Sequence, residues 1–174
     1  MQRVLLALEK QPVGILELRR AAPLWCRVMK YDDLPAKPQL KLVLGKRYKC
    51  VICLYQMHDA KHRVSDGVGH YVCISRTLKG KVEYFSSYGM QPGVELSATH
   101  SDPDKLQSLV GSKPIISSAR LQSRYHTNTC ARWALLRAML VQIPLKIFVK
   151  LMSGRLHLKT PDDLCALATL FVIR

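Results

Sequence analysis

The sequence has few acidic residues, few aromatic residues and no long apolar run. Asp and Glu number 12 against 27 Lys and Arg, which gives a formal net charge of +15. No apolar run approaches the roughly 20 residues that a membrane-spanning helix needs. The first segment, MQRVLLALEKQ, has an early Glu9 and no small-residue cleavage site, so we expect no secretory signal and no membrane association. Aromatic residues make up 7% and are scattered, which favours packing over base stacking for Tyr84, Tyr88, Trp133 and Phe148.

The composition otherwise predicts one globular domain. The chain has 174 residues, 48% of them hydrophobic, and contains no internal repeat or low-complexity tail. A chain of this length buries about two-thirds of its unfolded surface. The positive charge predicts attraction to nucleic acid, an anionic membrane surface or an acidic partner, without choosing among them. Because the basic residues are spread out and form no compact motif, only generic phosphate binding with a strong salt dependence is expected.

The six cysteines do not predict disulfides or a metal site. They are Cys26, Cys50, Cys53, Cys73, Cys130 and Cys165. Most lie in apolar runs, so buried, reduced thiols of an intracellular protein are expected. A zinc site formed by Cys50, Cys53, His58 and His62 is disfavoured, because strand residues three apart face opposite sides of a sheet. We therefore expect no metal and no obligatory cofactor.

The pattern of apolar residues, prolines and glycines predicts an α+β fold. A polar, mobile loop is predicted for 56–69 and an irregular loop for 31–39. Strands are predicted at 47–55, 70–77, 81–86 and 114–119. Helices are predicted at 2–11, 14–22, 103–110, 130–142, 145–153 and from 161 to the C-terminus, several of them with capping residues.

Cys130 is the first candidate for chemistry. It falls at the predicted start of a helix, where unpaired backbone N–H groups and the helix dipole favour a thiolate, the nucleophilic form of cysteine. A buried cysteine that merely packs there is the more common alternative. His70 favours the catalytic interpretation of Cys130, because a histidine at a strand end beside a glycine can act as the base for the thiol. His126 is a secondary candidate base, and Gln122 is a candidate donor to an oxyanion.

Several segments together resemble the adenain-type cysteine proteases. VGHYV resembles the Gly-His-Trp-Val segment of that family, with His70 at the position of the catalytic histidine. YFSSYGMQP resembles its Phe-Asp-Ser-Tyr-Gly-x-x-Pro segment, and NTCARW resembles the segment around its nucleophile, with Cys130 as the cysteine. Gln122 matches the oxyanion-hole glutamine, and TPDDLCALATLF resembles a C-terminal helix of the mobile-element members. The resemblance covers residues 28–174 and leaves 1–27 as an N-terminal helical extension of the single 1–174 protease domain.

The resemblance implies a papain-like, adenain-like fold, in which helices pack a central mixed β-sheet and the nucleophile begins a helix. It implies Cys130, His70, Ser86 and Gln122 as catalytic residues, and a viral or mobile-element endopeptidase that cleaves capsid or core precursors at Gly-containing sites. It also implies DNA as a possible activator or track and a possible activating peptide. The location expected is the virion and the host nucleus or cytoplasm, and the expected state is a monomer.

The chain departs from the family pattern at three positions. Ser86 stands where the family has an Asp or Asn that orients the histidine, Ala131 replaces the glycine after the nucleophile, and Tyr71 replaces a tryptophan. Three accounts stay open for the first departure: a Cys–His dyad oriented by Ser86 or water, recruitment of another acid such as Glu83, or loss of activity. Two alternatives to the endopeptidase follow: an inactive, basic nucleic-acid-binding or virion structural protein, and a protease for ubiquitin-like modifiers.

Overall fold

The structure is a computed structural model that describes residues 2–58, 64–99, 101–123, 127–154 and 160–173. Within these ranges the elements, in chain order, are α1 (Gln2–Lys10), α2 (Ile15–Ala21), β1 (Cys26–Lys30), α3 (Leu40–Leu44), β2 (Cys50–His58), β3 (Val64–Arg76), β4 (Val82–Ser86), α4 (Pro92–Thr99), α5 (Pro103–Val110), β5 (Ile115–Ile116), α6 (Cys130–Met139), α7 (Leu145–Ser153) and α8 (Pro161–Thr169). No helix in these ranges has the length and apolar character needed to cross a membrane.

The five strands form one mixed sheet in the order β1-β2-β3-β4-β5. The outer pairs, β1 with β2 and β4 with β5, are parallel. The inner strands β2, β3 and β4 are antiparallel to one another. The prediction of an α+β protein is confirmed in this form, a mixed sheet packed by helices.

Both faces of the sheet are buried, as the apolar sequence of β2 predicts. One apolar cluster contains Cys50 together with Trp133 of α6 and Phe148 of α7. The other contains Cys53 together with Leu96 of α4. Cys50 and Cys53 therefore lie on opposite faces of the sheet and do not share a metal ion, as the strand argument predicts.

The structure corrects several predicted boundaries. The segment 56–69 was expected to be a loop, yet β2 continues to His58 and β3 begins at Val64. Antiparallel pairing satisfies the backbone there even though the side chains are polar. The prediction omitted β1, α3 and α4, and β5 is only Ile115–Ile116.

Two of the predicted helix caps are present, whereas the cap expected from Asn128 or Thr129 at the start of α6 is not, because the Thr129 side chain makes no capping hydrogen bond. Thr160 and Asp163 form a capping box at α8, with the Thr160 hydroxyl accepting from the Asp163 N–H at 3.1 Å. Asp102 caps α5 by accepting from the Asp104 N–H at 2.9 Å. These capped helices fix the ends of segments that bracket the candidate site.

Candidate active site

Cys130 is the first residue of α6, as predicted. The helix starts with the Trp133 N–H donating to the Thr129 carbonyl at 2.9 Å. Cys130 is partly exposed, whereas the other five cysteines are buried. It is thus the most exposed of the six cysteine residues, although its thiol is largely shielded from solvent.

His70 lies near the middle of β3, opposite Tyr55 of β2, and not at the strand end where the sequence predicted it, because β3 begins six residues earlier at Val64. The preceding Gly69 makes the closest backbone approach in this region. A Cβ at Gly69 would lie 2.3 Å from the Tyr55 carbonyl oxygen. Glycine is therefore required beside the histidine, and it lets β3 press against β2 at this point.

Backbone contacts bring Cys130 next to the histidine strand. The backbones of Tyr71, the residue after His70, of Ala131 and of Cys130 itself lie close to the Cys130 thiol and act to lower its pKa, as N–H groups directed at a thiolate do. Cys130 therefore lies against β3 at the residue that follows His70, on the face of the sheet that α6 covers. The His70 side chain points to the other face, where it contacts Ser86 and Glu95, and its Nδ1 makes no hydrogen bond to Cys130.

Burial controls the protonation of both groups. It raises the pKa of the Cys130 thiol and outweighs the backbone hydrogen bonds that lower it. It also lowers the pKa of His70 from 6.5 to about 3. At neutral pH the resting pair is thus a neutral thiol and a neutral imidazole. The sequence-based expectation of a thiolate at the helix start is not met, because desolvation exceeds the effect of the helix end.

A buried polar cluster holds the far side of the imidazole. His70 Nε2 lies 3.3 Å from the Ser86 hydroxyl oxygen. It also lies 3.4 Å from Oε1 of Glu95 on α4. The Ser86 hydroxyl donates to that same Oε1, and the Tyr84 hydroxyl donates to Oε2 at 2.7 Å. Ser86 therefore lies between the histidine and a carboxylate that the sequence analysis did not identify.

The proton inventory of this cluster selects one imidazole tautomer. Ser86 has a single hydroxyl proton, and it is donated to Glu95. The Ser86 oxygen and the Glu95 carboxylate are thus both acceptors toward His70, which places the imidazole proton on Nε2. Nδ1 is buried and makes no hydrogen bond within the described ranges. Nδ1 is therefore the ring nitrogen whose lone pair has no partner among the described residues, although burial disfavours its protonation in the resting structure.

Tyr88 fixes the plane of the imidazole. Its ring stacks on His70 with 4.5 Å between centroids and 21° between planes. Its backbone N–H donates to the Ser86 oxygen at 3.1 Å. The turn after β4 therefore supplies both the hydroxyl and the stacking partner of the histidine.

Gln122 is buried close to this turn. Its Oε1 accepts from the Ser87 hydroxyl at 2.6 Å. Its Nε2 lies within 3.4 Å of the Tyr88 hydroxyl and donates to the Thr127 carbonyl at 3.2 Å. The Gln122 amide is thus hydrogen-bonded to protein groups. To donate to an oxyanion, its Nε2 must give up its hydrogen bond to Tyr88 or to Thr127. That role stays a prediction.

Glu83, the other acid considered from the sequence, binds groups away from His70. Its Oε2 lies 2.8 Å from Nη2 of Arg137, and both side chains are buried. Its Oε1 accepts from the Leu145 N–H at 3.1 Å. Glu83 alternates with Tyr84 along β4 and points to the opposite face, so it does not reach His70.

Glu95 carried only a weak sequence signal. It is an acid in the first turn of a short helix that begins at Pro92, shortly after the segment that contains Ser86. A proline followed by an acid is typical of a helix start. Recognition of α4 would have placed a carboxylate near the end of β4.

Cys130 and His70 line two different cavities. A groove of about 610 Å³ is lined by Cys130, Ala131 and Tyr71 together with the segment 12–15. Lys30 is the charged residue in its lining. A second cavity of about 300 Å³ is lined by His70, Tyr88, Met90 and Glu95 among others. Cys130 therefore forms part of the wall that a peptide bound in the first groove would contact.

The remaining predicted alternatives are only partly described. His62 and His126 and the side chain of His58 lie outside the described residues. Within the described ranges, no group of three His, Cys, Asp or Glu side chains is arranged to hold a metal ion.

No protein-family model matches this sequence, and no curated protein is significantly similar to it.

Proposed function

We propose that this protein is a cysteine endopeptidase of the adenain type, with Cys130 as nucleophile and His70 as base. The observation that carries the proposal is the arrangement around His70. Its Nε2 is held by Ser86 and Glu95, while its buried Nδ1 is left without a hydrogen bond among the described residues. The backbone of the next residue contacts the Cys130 thiol.

The reaction starts from the neutral pair. As the Cys130 sulfur attacks a peptide carbonyl carbon, the thiol proton moves to Nδ1 of His70, which requires the two side chains to come within hydrogen-bond distance, and the carbonyl oxygen becomes an oxyanion. The Cys130 N–H and the Gln122 amide stabilise that oxyanion. The imidazolium then gives its proton to the leaving amine nitrogen as the C–N bond breaks, which leaves a thioester on Cys130.

Hydrolysis of the thioester completes the cycle. His70 removes a proton from water as the water oxygen attacks the thioester carbon. The second oxyanion collapses, the C–S bond breaks, and the proton returns to sulfur. Throughout, Glu95 stabilises the imidazolium through the contact at Nε2, with Ser86 as a hydrogen-bonded bridge.

The resemblance to the adenain-type proteases supports the substrate side of the proposal. We propose capsid or core precursors of a virus or virus-like element as substrates, cleaved at Gly-containing sites. The test is incubation of the purified protein with a peptide mixture of known sequences, Gly-Gly and Gly-Ala peptides included, with and without DNA. New termini are read by mass spectrometry. Cleavage that is lost in Cys130→Ser and in His70→Gln supports the proposal, and cleavage that survives both substitutions refutes it.

A basic cleft supports a second candidate function, nucleic-acid binding. A cleft of about 260 Å³ is lined by Lys41, Lys49 and Arg76, with no acidic residue in its lining. Arg76 ends β3, so the cleft lies about 20 Å along the strand from His70. With a net charge of +15, this surface fits a phosphate backbone and leaves the groove at Cys130 open.

The second function is tested by charge reversal. The triple variant Lys41→Glu, Lys49→Glu, Arg76→Glu is compared with a control that reverses the exposed Arg20, Lys37 and Lys150. A cleft that binds nucleic acid predicts a larger loss of affinity and a shallower salt dependence in the first variant. Equal losses would mean that net charge alone attracts nucleic acid.

A further inference from the structure

The loop that precedes Cys130 is held by a carboxylate on a distant helix. Asp162 lies in the first turn of α8 and is 2% exposed. Its carboxylate accepts a hydrogen bond from the Thr129 hydroxyl. It also accepts from the indole N–H of Trp133 at 2.9 Å. One carboxylate thus binds residues on both sides of the nucleophile.

The same carboxylate reaches further back along the loop. Its Oδ2 accepts from the Ser123 N–H at 3.0 Å and from the Thr127 hydroxyl at 3.2 Å. All four donors are neutral groups of the segment that leads into α6 or of its first turn. A buried carboxylate needs such a set of donors, and in return it fixes the donors in one arrangement.

The Thr129 hydroxyl has an unusual partner. A threonine directly before a helix commonly accepts a hydrogen bond from one of the first helix N–H groups. Thr129 makes no such bond. Its hydroxyl points to Asp162 instead. The first N–H groups of α6 are therefore not occupied by a Thr129 cap, and those of Cys130 and Ala131 lie close enough to the Cys130 thiol to lower its pKa.

We infer that Asp162 is a positioning residue for the nucleophile. Asp162 holds the Thr129 hydroxyl away from the helix start. The first N–H groups of α6 thereby stay directed at the sulfur and at the developing oxyanion. This inference rests on the proposed function, because it concerns how Cys130 is presented for attack. Asp162 acts through Thr129 and Trp133 and does not itself touch the substrate.

The neighbouring Asp163 provides a matched control. It lies in the same helical turn and is also buried, with 7% exposure. Its carboxylate accepts from the Thr160 N–H at 3.0 Å and so caps its own helix. Replacement of either aspartate by asparagine removes the same charge from the same turn, but only Asp162 binds the loop before Cys130.

The experiment compares Asp162→Asn with Asp163→Asn in the full chain. We expect Asp162→Asn to lower kcat for peptide cleavage and the alkylation rate of Cys130 at least tenfold relative to Asp163→Asn, with little change in KM. A loss of thermal stability is expected in both variants. Equal kcat and alkylation rates in the two variants would overturn the inference, because Asp162 would then be only a helix and loop stabiliser.

A milder pair of variants covers the case in which Asp162→Asn fails to fold. Thr129→Val removes the hydroxyl that Asp162 binds, and Thr129→Ser retains it. The inference predicts that Thr129→Ser keeps the alkylation rate of Cys130 and that Thr129→Val lowers it several-fold. Equal rates in the two variants would contradict it.

Amide hydrogen exchange separates failure of the inference from failure of the proposed function. If the wild-type protein cleaves no peptide, the proposed function fails, yet exchange at residues 127–131 still reports on the anchor. Faster exchange there in Asp162→Asn, but not in Asp163→Asn, supports the anchoring role. Unchanged exchange in both variants overturns it.

Discussion

Glu95 is the acid behind the histidine, and its replacement by glutamine gives the sharpest test of the site. The substitution keeps the size of the side chain and removes its charge. The amide also brings two protons into a position where the Tyr84 and Ser86 hydroxyls now donate. At least one of these hydroxyls must then reverse its hydrogen bond.

The magnitude follows from the distance between the charges. In the proposed transition state His70 is an imidazolium, and its Nε2 lies 3.4 Å from Glu95 Oε1 in the structure. Two unit charges at that distance attract by about 5 kcal/mol at an effective dielectric constant near 20. The amide oxygen recovers part of this, so a net loss of about 3 kcal/mol is expected, or about a hundredfold in kcat/KM.

Ser86→Ala is the matched comparison. It removes the hydroxyl between the imidazole and the carboxylate but retains the charge, and the loss is expected to be about tenfold, equivalent to one hydrogen bond. The assay is steady-state cleavage of a peptide substrate, together with the alkylation rate of Cys130. A Glu95→Gln enzyme with wild-type kcat/KM, or a Ser86→Ala enzyme that loses more, would refute the assignment of Glu95.

Three further predictions concern stability. Burial and the adjacent carboxylates of α8 raise the pKa of Glu9 from 4.5 to about 7. Folding therefore favours the protonated carboxyl, and the free energy of unfolding falls as pH rises from about 4.5 to 7. In urea unfolding, Glu9→Gln should have a free energy of unfolding about 1 kcal/mol above that of the wild type at pH 8, but not at pH 4. Gly69→Ala places a Cβ 2.3 Å from a carbonyl oxygen of β2 and should lower folding stability by about 2 kcal/mol. Gly93→Ala, which meets open space, should leave stability unchanged. Equal melting temperatures of the two variants would contradict this. Arg137→Met leaves the buried Glu83 carboxylate without its ion pair and should cost about 3–5 kcal/mol, and a loss below 1 kcal/mol would show that the pair contributes little.

The parts of the site that follow local rules could be predicted from the sequence. A polar loop followed by an apolar helical pattern located the start of α6 and hence Cys130. The apolar run that begins at His70 located the strand of the histidine. The spacing of Cys50 and Cys53 on a strand predicted that they face opposite sides, and the two apolar clusters bear this out.

The parts that depend on long-range packing could not be predicted. Glu95 reaches His70 only because α4 packs behind β2. The local sequence of α4 does not predict that contact. The pKa of the Cys130 thiol is set by burial, which a helix-end argument does not include. The polarity of 56–69 predicts a loop, because side-chain polarity does not reveal that the backbones of 56–58 and 64–69 pair as strands; residues 59–63 lie outside the described ranges.

The most direct test of the central claim is the reaction of the purified protein with an electrophilic peptide ending in Gly-Gly or Gly-Ala. The adduct is located by mass spectrometry, with and without DNA. The account predicts an adduct on Cys130 alone, formed at a rate that falls in His70→Ala while the other five cysteines stay unmodified. Equal labelling of Cys130 in the wild-type and His70→Ala proteins would contradict the account, because the histidine would then do nothing for the thiol.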